Sequence, residues 1–242
     1  MRAPEGIATG WGELLRRFSS APNVTPMTTD EAIRALLPTE VIQRALREAV
    51  EPGEGRQPRL AAPPETEDRC RVFLERLRWP EGVRCPRCDN GEGISRIEMR
   101  GQFECGACAY QFSVRVGTVF HATHLPLWKW FLAVYLISGS LERIPANRLS
   151  RMLDISYKTA WYLNHRVRAA MEDDPARSPR PVIELDQATR SRMGHKARHL
   201  DAYRTEQLFH ANNRSNPYLF CILLSRLLGI DAVPYTQLIA TA

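Results

Sequence analysis

Four cysteines carry the clearest chemical signal in this sequence. Cys85-Pro-Arg-Cys88 and Cys105-Gly-Ala-Cys108 are two CxxC pairs separated by 16 residues. Each CxxC turn presents two thiolates to one point, and two such turns complete a tetrahedral four-sulfur site for zinc. Pro86 and Gly106 suit the tight turns, which leave backbone N–H groups facing the sulfurs. With Cys85, Cys88, Cys105 and Cys108 filling every coordination position, no place remains for water, so the zinc is structural rather than catalytic. Two matched pairs weigh against the rival readings, a redox CxxC or incidental cysteines. Cys70 and Cys221 lie among apolar residues and read as buried packing.

The second signal is a basic helical pair over residues 144–171. Leu149, Met152 and Leu153 form one apolar face, and Ile155, Ala160, Leu163 and Val167 form another, with a short Asp154-Ile155 junction between them. This is helix-turn-helix spacing. In that motif the second helix enters the major groove with its N-terminal residues touching bases, here Ser156, Tyr157, Lys158 and Thr159, with Tyr162 and Arg166 further along. Arg148, Arg151 and Arg168 are suited to phosphate contacts, the source of salt-dependent affinity. Asp154 tolerates the left-handed turn position, although glycine is the easier choice. Trp161 reads as core and His165 as a surface or phosphate-side residue rather than a ligand. The rival is an ordinary helical hairpin with a solvated basic face.

These groups must be positioned by the surrounding elements. Thr29 or Asp30 could cap a helix through about Leu37, and Pro38-Thr39 could start another through Val50. Glu51-Pro-Gly-Glu-Gly-Arg-Gln-Pro and the Ala-Ala-Pro-Pro that follows read as a linker. Residues 1–66 therefore read as a flexible or weakly helical arm. From Glu67 to Leu77, Cys70, Phe73, Leu74 and Leu77 share one helical face. Strand-like segments at Gly93–Arg100 and Tyr110–Val116 flank the second cysteine pair, giving a helix-plus-ribbon unit over 67–122. Thr123 is expected to cap a helix with Pro126 in its first turn, running to about Ser138. Helices near Pro145–Leu153 and Ser156–Met171 complete a helical region over 123–172, and 173–242 holds a linker and a C-terminal remnant. The fold class expected is mainly α with a small β zinc ribbon.

Composition narrows the function classes. The 242 residues hold 33 Lys+Arg against 27 Asp+Glu, a net charge of +6, and only three of the basic residues are lysine. Such an arginine surplus is a weak argument for a nucleic-acid partner on its own. Its distribution is more telling, since residues 141–172 hold 6 basic and 3 acidic groups, half of the net charge in the shortest segment. The longest apolar run, Leu125 to Ile137, spans 13 residues and is interrupted by Lys129. A membrane span needs about 20, so no membrane is expected. The first 17 residues lack the pattern of a signal peptide, so a cytoplasmic location is expected. There, clustered cysteines bind metal more often than they form disulfides.

Cys70 to Met171 closely resembles the zinc-ribbon transposases of bacterial insertion sequences. The matching blocks are Leu77-Arg-Trp-Pro-Glu-Gly-Val-Arg-Cys-Pro-Arg-Cys88, Phe112-Ser-Val-Arg-Val-Gly-Thr-Val-Phe120, Thr123-His-Leu-Pro-Leu-Trp-Lys-Trp-Phe131 and Ile155-Ser-Tyr-Lys-Thr-Ala-Trp161. The resemblance implies recognition of double-stranded DNA at transposon ends, a nucleoid-associated location and possible homo-oligomers. It also implies a ribonuclease-H-like core whose acidic residues bind two divalent metals.

At that core the sequence departs from the family. Val182-Ile-Glu-Leu-Asp186 resembles the first catalytic strand, with Asp186 as the first carboxylate, and only 56 residues follow it. Arg198–Phe209, Asn212–Arg214 and Leu219–Leu224 resemble the family's C-terminal end, as though an internal deletion joined the two. Two-metal chemistry needs carboxylates converging on ions about 4 Å apart. Asp186 alone is read as vestigial, and magnesium is expected only if a catalytic core is retained. The resulting expectation is a DNA-binding protein without its nuclease. The alternatives are an active transposase with a minimal core and a zinc-ribbon protein-interaction module.

Overall fold

A computed structural model describes residues 27–50, 59–121, 123–140, 144–171, 206–207, 209–213 and 216–229. Asp186 and the surrounding resemblance to a catalytic strand lie outside the described residues.

The centre of the fold is the most apolar helix. Helix α4 (Leu127–Gly139) buries ten of its 13 residues, Lys129 and Tyr135 being among those left partly open. A helix that is apolar on all sides must be surrounded. It is covered by α1 (Thr29–Leu36), α3 (Pro64–Arg78), α5 (Ala146–Leu153), α6 (Tyr157–Met171) and α7 (Leu219–Gly229). Helix α2 (Thr39–Val50) packs against α5. Edge-to-face aromatic pairs stitch this core, Phe73 to Phe131 at 6.1 Å, Phe131 to Phe220 at 5.8 Å and Phe120 to Trp130 at 5.1 Å.

The N-terminal helices belong to this core. The two helices expected from the sequence are present, but assigning residues 1–66 to an arm separates them from their packing surface. Ala32, Ile33, Leu36 and Leu37 are buried from the first, and Val41, Ile42 and Ala45 from the second. Burying each large aliphatic side chain stabilises the fold by about 1.5–3 kcal/mol, more than an eight-residue helix could gain alone. The cap of α1 is Thr28, one residue before the expected position. Its hydroxyl accepts the Glu31 N–H at 3.3 Å while the Glu31 carboxylate accepts the Thr28 N–H at 2.8 Å, a reciprocal capping box.

Residues 216–229 also close the core. Helix α7 buries Leu219, Phe220, Cys221, Ile222, Leu223, Leu224 and Leu227. The Thr29 N–H donates to the Pro217 carbonyl at 2.6 Å, and the Phe220 N–H donates to the Thr29 hydroxyl at 3.2 Å. Arg168 of α6 and Glu206 form a buried pair, Nε to Oε2 at 2.9 Å, with side chains 7% and 4% exposed. Glu206, Phe209 and Leu219–Gly229, within the stretch 173–242, thus supply core.

The remaining element is a three-stranded antiparallel sheet in the order β1 (Ile94–Ile97), β2 (Gln102–Cys105), β3 (Gln111–Phe112). Its register pairs Ile94 with Cys105 and Phe103 with Phe112. Its small core holds Cys85, Phe103, Cys105 and Phe112, with Trp79 packed edge-to-face on both phenylalanines at 5.5 and 6.0 Å. The fold class is mainly α with a small β ribbon carrying the cysteine cluster.

Candidate metal centre and nucleic-acid interface

The two CxxC turns are near copies of one another. In each, the first cysteine donates its N–H to the carbonyl five residues on, Cys85 to Asn90 at 2.9 Å and Cys105 to Tyr110 at 3.0 Å. Its carbonyl accepts from the residue four positions on, from Asp89 at 2.9 Å and Ala109 at 2.8 Å. Asp89 (φ 56°) and Ala109 (φ 52°) take the left-handed conformation at matching places. Backbone N–H groups of Arg87 and Cys88 point at the Cys85 sulfur, and those of Ala107 and Cys108 at the Cys105 sulfur. Burial pushes the Cys105 thiol up, but those donors outweigh it and hold it at about 7. Gly106 is required by close approach, since a Cβ there would stand 2.8 Å from the Gly93 carbonyl oxygen.

The four sulfurs lie within 4.8 Å of one another, Cys85 to Cys108 at 3.7 Å and Cys88 to Cys105 at 3.6 Å. A tetrahedral zinc with bonds of about 2.3 Å requires sulfurs about 3.8 Å apart, so the cluster fits that ion. Cys85, Cys88, Cys105 and Cys108 would hold zinc with no open position, and the ion would join β2 to the loop before β1. Among the described residues this is the one cluster of three or more potential metal-ligating groups. Cys70 and Cys221 are buried elsewhere, where burial pushes Cys221 up to about 12 and raises Cys70 further.

The ribbon is anchored to α3 by charge. Glu75, nearly buried, accepts from Arg71 at 2.8 Å and from Arg96 of β1 at 2.9 Å. Arg78 donates to the Val114 carbonyl at 2.6 Å. Glu67 accepts from the Arg115 guanidinium just beyond β3, and also from the Leu127 N–H at 3.0 Å and the Trp128 N–H at 3.2 Å. It therefore caps α4 from another helix. Thr123, expected to be that cap, instead accepts from the Leu125 N–H and from the Trp130 indole N–H at 3.2 and 3.3 Å. Pro126 occupies the N-cap of α4 and offers no side-chain oxygen. That missing acceptor is the sequence feature that could have pointed to Glu67.

The basic pair forms two helices, α5 and α6, joined through Asp154 at φ 48° and ψ 59°. Asp154 N–H donates to the Arg151 carbonyl and Ile155 N–H to the Ser150 carbonyl, the two bonds of a Schellman ending. Ser156 caps α6, its hydroxyl accepting the Thr159 N–H at 3.1 Å and meeting the Thr159 hydroxyl at 2.8 Å. Tyr157 is 60% exposed, and Ser156, Lys158 and Arg151 are exposed beside it. Arg151 stands 3.8 Å from Glu48 of α2. Arg148 and Tyr162 are half-buried.

Two of the residues expected to contact DNA face inward. Arg166 is 6% exposed and donates to the Val119 carbonyl and the Tyr162 hydroxyl, both at 2.6 Å, with its guanidinium 4.1 Å from the Tyr162 ring centroid. Arg168 is committed to Glu206. Both serve the fold, because the inner face of α6 meets the post-ribbon segment and α7. Trp161 is half-buried with its ring centroid 4.1 Å from that of His165.

Residues 65–111 match the family model described as the transposase zinc-ribbon domain, which spans α3 and the ribbon through the start of β3. The chain is 33% identical over 125 residues to a Halobacterium salinarum protein titled "Uncharacterized protein in transposable element ISH50". The match covers 49% of this chain and 39% of that relative, so the chain spans about two fifths of its length. No solved structure matches. No helix among the described residues is long and apolar enough to cross a membrane. Residues 65–111 thus carry a transposase-type zinc ribbon, and the chain that holds it is similar to a protein of a transposable element.

Proposed function

We propose that this protein binds double-stranded DNA at the ends of an insertion-sequence element through the N-terminal turn of α6, with the zinc ribbon as a scaffold. The observation that carries this reading is the exposed set Tyr157, Lys158 and Arg151 around a capped second helix, entered through a left-handed turn. Tyr157 and Lys158 are the base-edge candidates, and Arg148 and Arg151 the phosphate candidates. Ser156 and Thr159 act mainly as the cap.

Charge supports the division of labour. Residues 79–116 hold Arg84, Arg87, Arg96, Arg100 and Arg115 against Glu81, Asp89, Glu92, Glu98 and Glu104. A bound zinc tetrathiolate adds about −2, so the ribbon has no positive surplus for phosphates. Packing of α7 on α1 and α4 makes Leu219–Gly229 part of the helical core that carries α6. With Asp186 taken as vestigial, the reading is duplex binding without strand cleavage, in the bacterial cytoplasm and nucleoid.

The test is a titration of the zinc-loaded chain against a labelled duplex of the DNA flanking the gene, at several salt concentrations. The logarithm of affinity should fall linearly with the logarithm of salt concentration; binding indifferent to salt contradicts the reading. Metal-dependent nicking of the same duplex, lost in Asp186→Ala, would establish an active transposase instead. Capture of a protein partner that persists after nuclease treatment, without duplex binding, would favour an interaction module.

A further inference from the structure

Asp154 occupies a backbone position that disfavours any residue with a Cβ, and glycine would adopt φ 48° and ψ 59° with less strain. Two hydrogen bonds give the aspartate a purpose. Its Oδ2 accepts the Leu60 N–H at 3.1 Å, and its carbonyl accepts the Lys129 ammonium at 3.0 Å. Leu60 is 6% exposed, so its N–H needs a partner inside the protein. Lys129 lies in the first turn of α4, where burial pulls its ammonium below the usual lysine value and Asp154 opposes that shift. The same turn presents the Leu127 and Trp128 N–H groups to Glu67, which also accepts from Arg115 at the edge of the ribbon. One turn of α4 therefore joins the ribbon at one end and the α5–α6 junction at the other.

We propose that Asp154 is a positioning residue for DNA binding: its carboxylate and carbonyl lock the α5–α6 turn to Leu60 and Lys129 and so set where α6 begins. The inference rests on the DNA-binding reading above. Fixing Ser156, Tyr157 and Lys158 in advance removes the ordering cost at the moment of binding. A glycine at 154 relaxes the backbone but leaves Leu60 without its acceptor. An asparagine keeps both the left-handed tolerance and an acceptor oxygen.

The experiment compares Asp154→Gly, Asp154→Asn and Lys129→Met in the zinc-loaded full chain. The probe is the labelled flanking duplex, well below each variant's melting temperature. Lys129→Met keeps the side-chain stem beside the Trp128 ring, 5.3 Å from the Lys129 ammonium, while removing the donor. The expected result is near-native affinity for Asp154→Asn and a loss of about tenfold for Asp154→Gly and of similar direction for Lys129→Met. Amide exchange should show Leu60 protected in the native chain and in Asp154→Asn but released in Asp154→Gly. If the native chain binds and Asp154→Gly binds equally well, or if Asp154→Asn fails as badly as glycine, the inference is overturned. If the native chain does not bind the duplex, the functional reading fails first. Should Asp154→Gly not fold, Lys129→Met decides, and native affinity in that variant overturns the lock.

Discussion

The Glu67 carboxylate accepts the Leu127 N–H at 3.0 Å across 60 residues of sequence, so one helix caps another. The same carboxylate takes Arg115 from the end of the ribbon. A single side chain thus satisfies orphan donors at the start of the most buried helix and ties the metal-bearing sheet to it.

Glu67→Ala should therefore lower stability although Glu67 is neither one of the four candidate zinc ligands nor part of α6. Loss of a helix cap costs about 1 kcal/mol, and loss of the Arg115 contact adds to it. The melting temperature should fall by at least about 2–4 °C. Glu67→Gln, which keeps one acceptor oxygen, should lose less. Thermal unfolding of the zinc-loaded chain checks both.

Arg168 and Glu206 should behave as a pair. Removing one partner leaves a buried charge uncompensated and costs about 3–5 kcal/mol. Glu206→Gln and Arg168→Met should each be strongly destabilising, and the double variant should recover part of the loss. Denaturant unfolding of the two single variants and the double gives the coupling directly. Simple additivity would contradict the buried pair.

How legible all this was depends on sequence distance. The cysteine cluster was legible because each knuckle is four residues long and its two copies match. The helices were legible because Leu149, Met152, Leu153 and their counterparts repeat at helical spacing. Which side of α6 faces inward was not. Arg166 and Arg168 look like any basic residues on a helix until Val119 and Glu206, 47 and 38 residues away, are brought against them. The same limit hid the role of α1 and α2, whose apolar faces have their partners in α4, α5 and α7. Asp154 belongs to a residue type that tolerates a left-handed turn, and it occupies one. Its bond to Leu60 crosses 94 residues, and nothing local announces it.

His210 gives the fold a pH dependence. Burial pulls its imidazole below the ordinary value of 6.5, and the Glu206 charge opposes that shift. The folded state therefore favours the neutral ring. This contribution is complete above pH 6.5 and is lost as the pH falls through the lower folded value. Stability should decline on acidification below 6.5, and His210→Gln should flatten that part of the curve relative to the native chain. Unfolding midpoints of both proteins across this range test it.

Chelation should unfold the ribbon before the helical core. The ribbon buries only Cys85, Phe103, Cys105 and Phe112, too little to stand without an ion. Chelator should release the fluorescence of Trp79, which packs on Phe103 and Phe112, while far-ultraviolet circular dichroism keeps most of its helical signal. A Trp79 environment unchanged by metal removal would contradict a structural zinc. With five tryptophans in the chain, a Trp79→Phe control assigns the change.

The measurement that tests the central claim most directly is the salt dependence of duplex binding in Arg151→Ala with Lys158→Ala, beside the native chain. Each phosphate contact contributes about 0.9 to the slope of log affinity against log salt. If the exposed start of α6 and the end of α5 hold DNA, the double variant should bind more weakly and its slope should be shallower by about 1–2. A native slope and native affinity in that variant, with the fold intact, would contradict it.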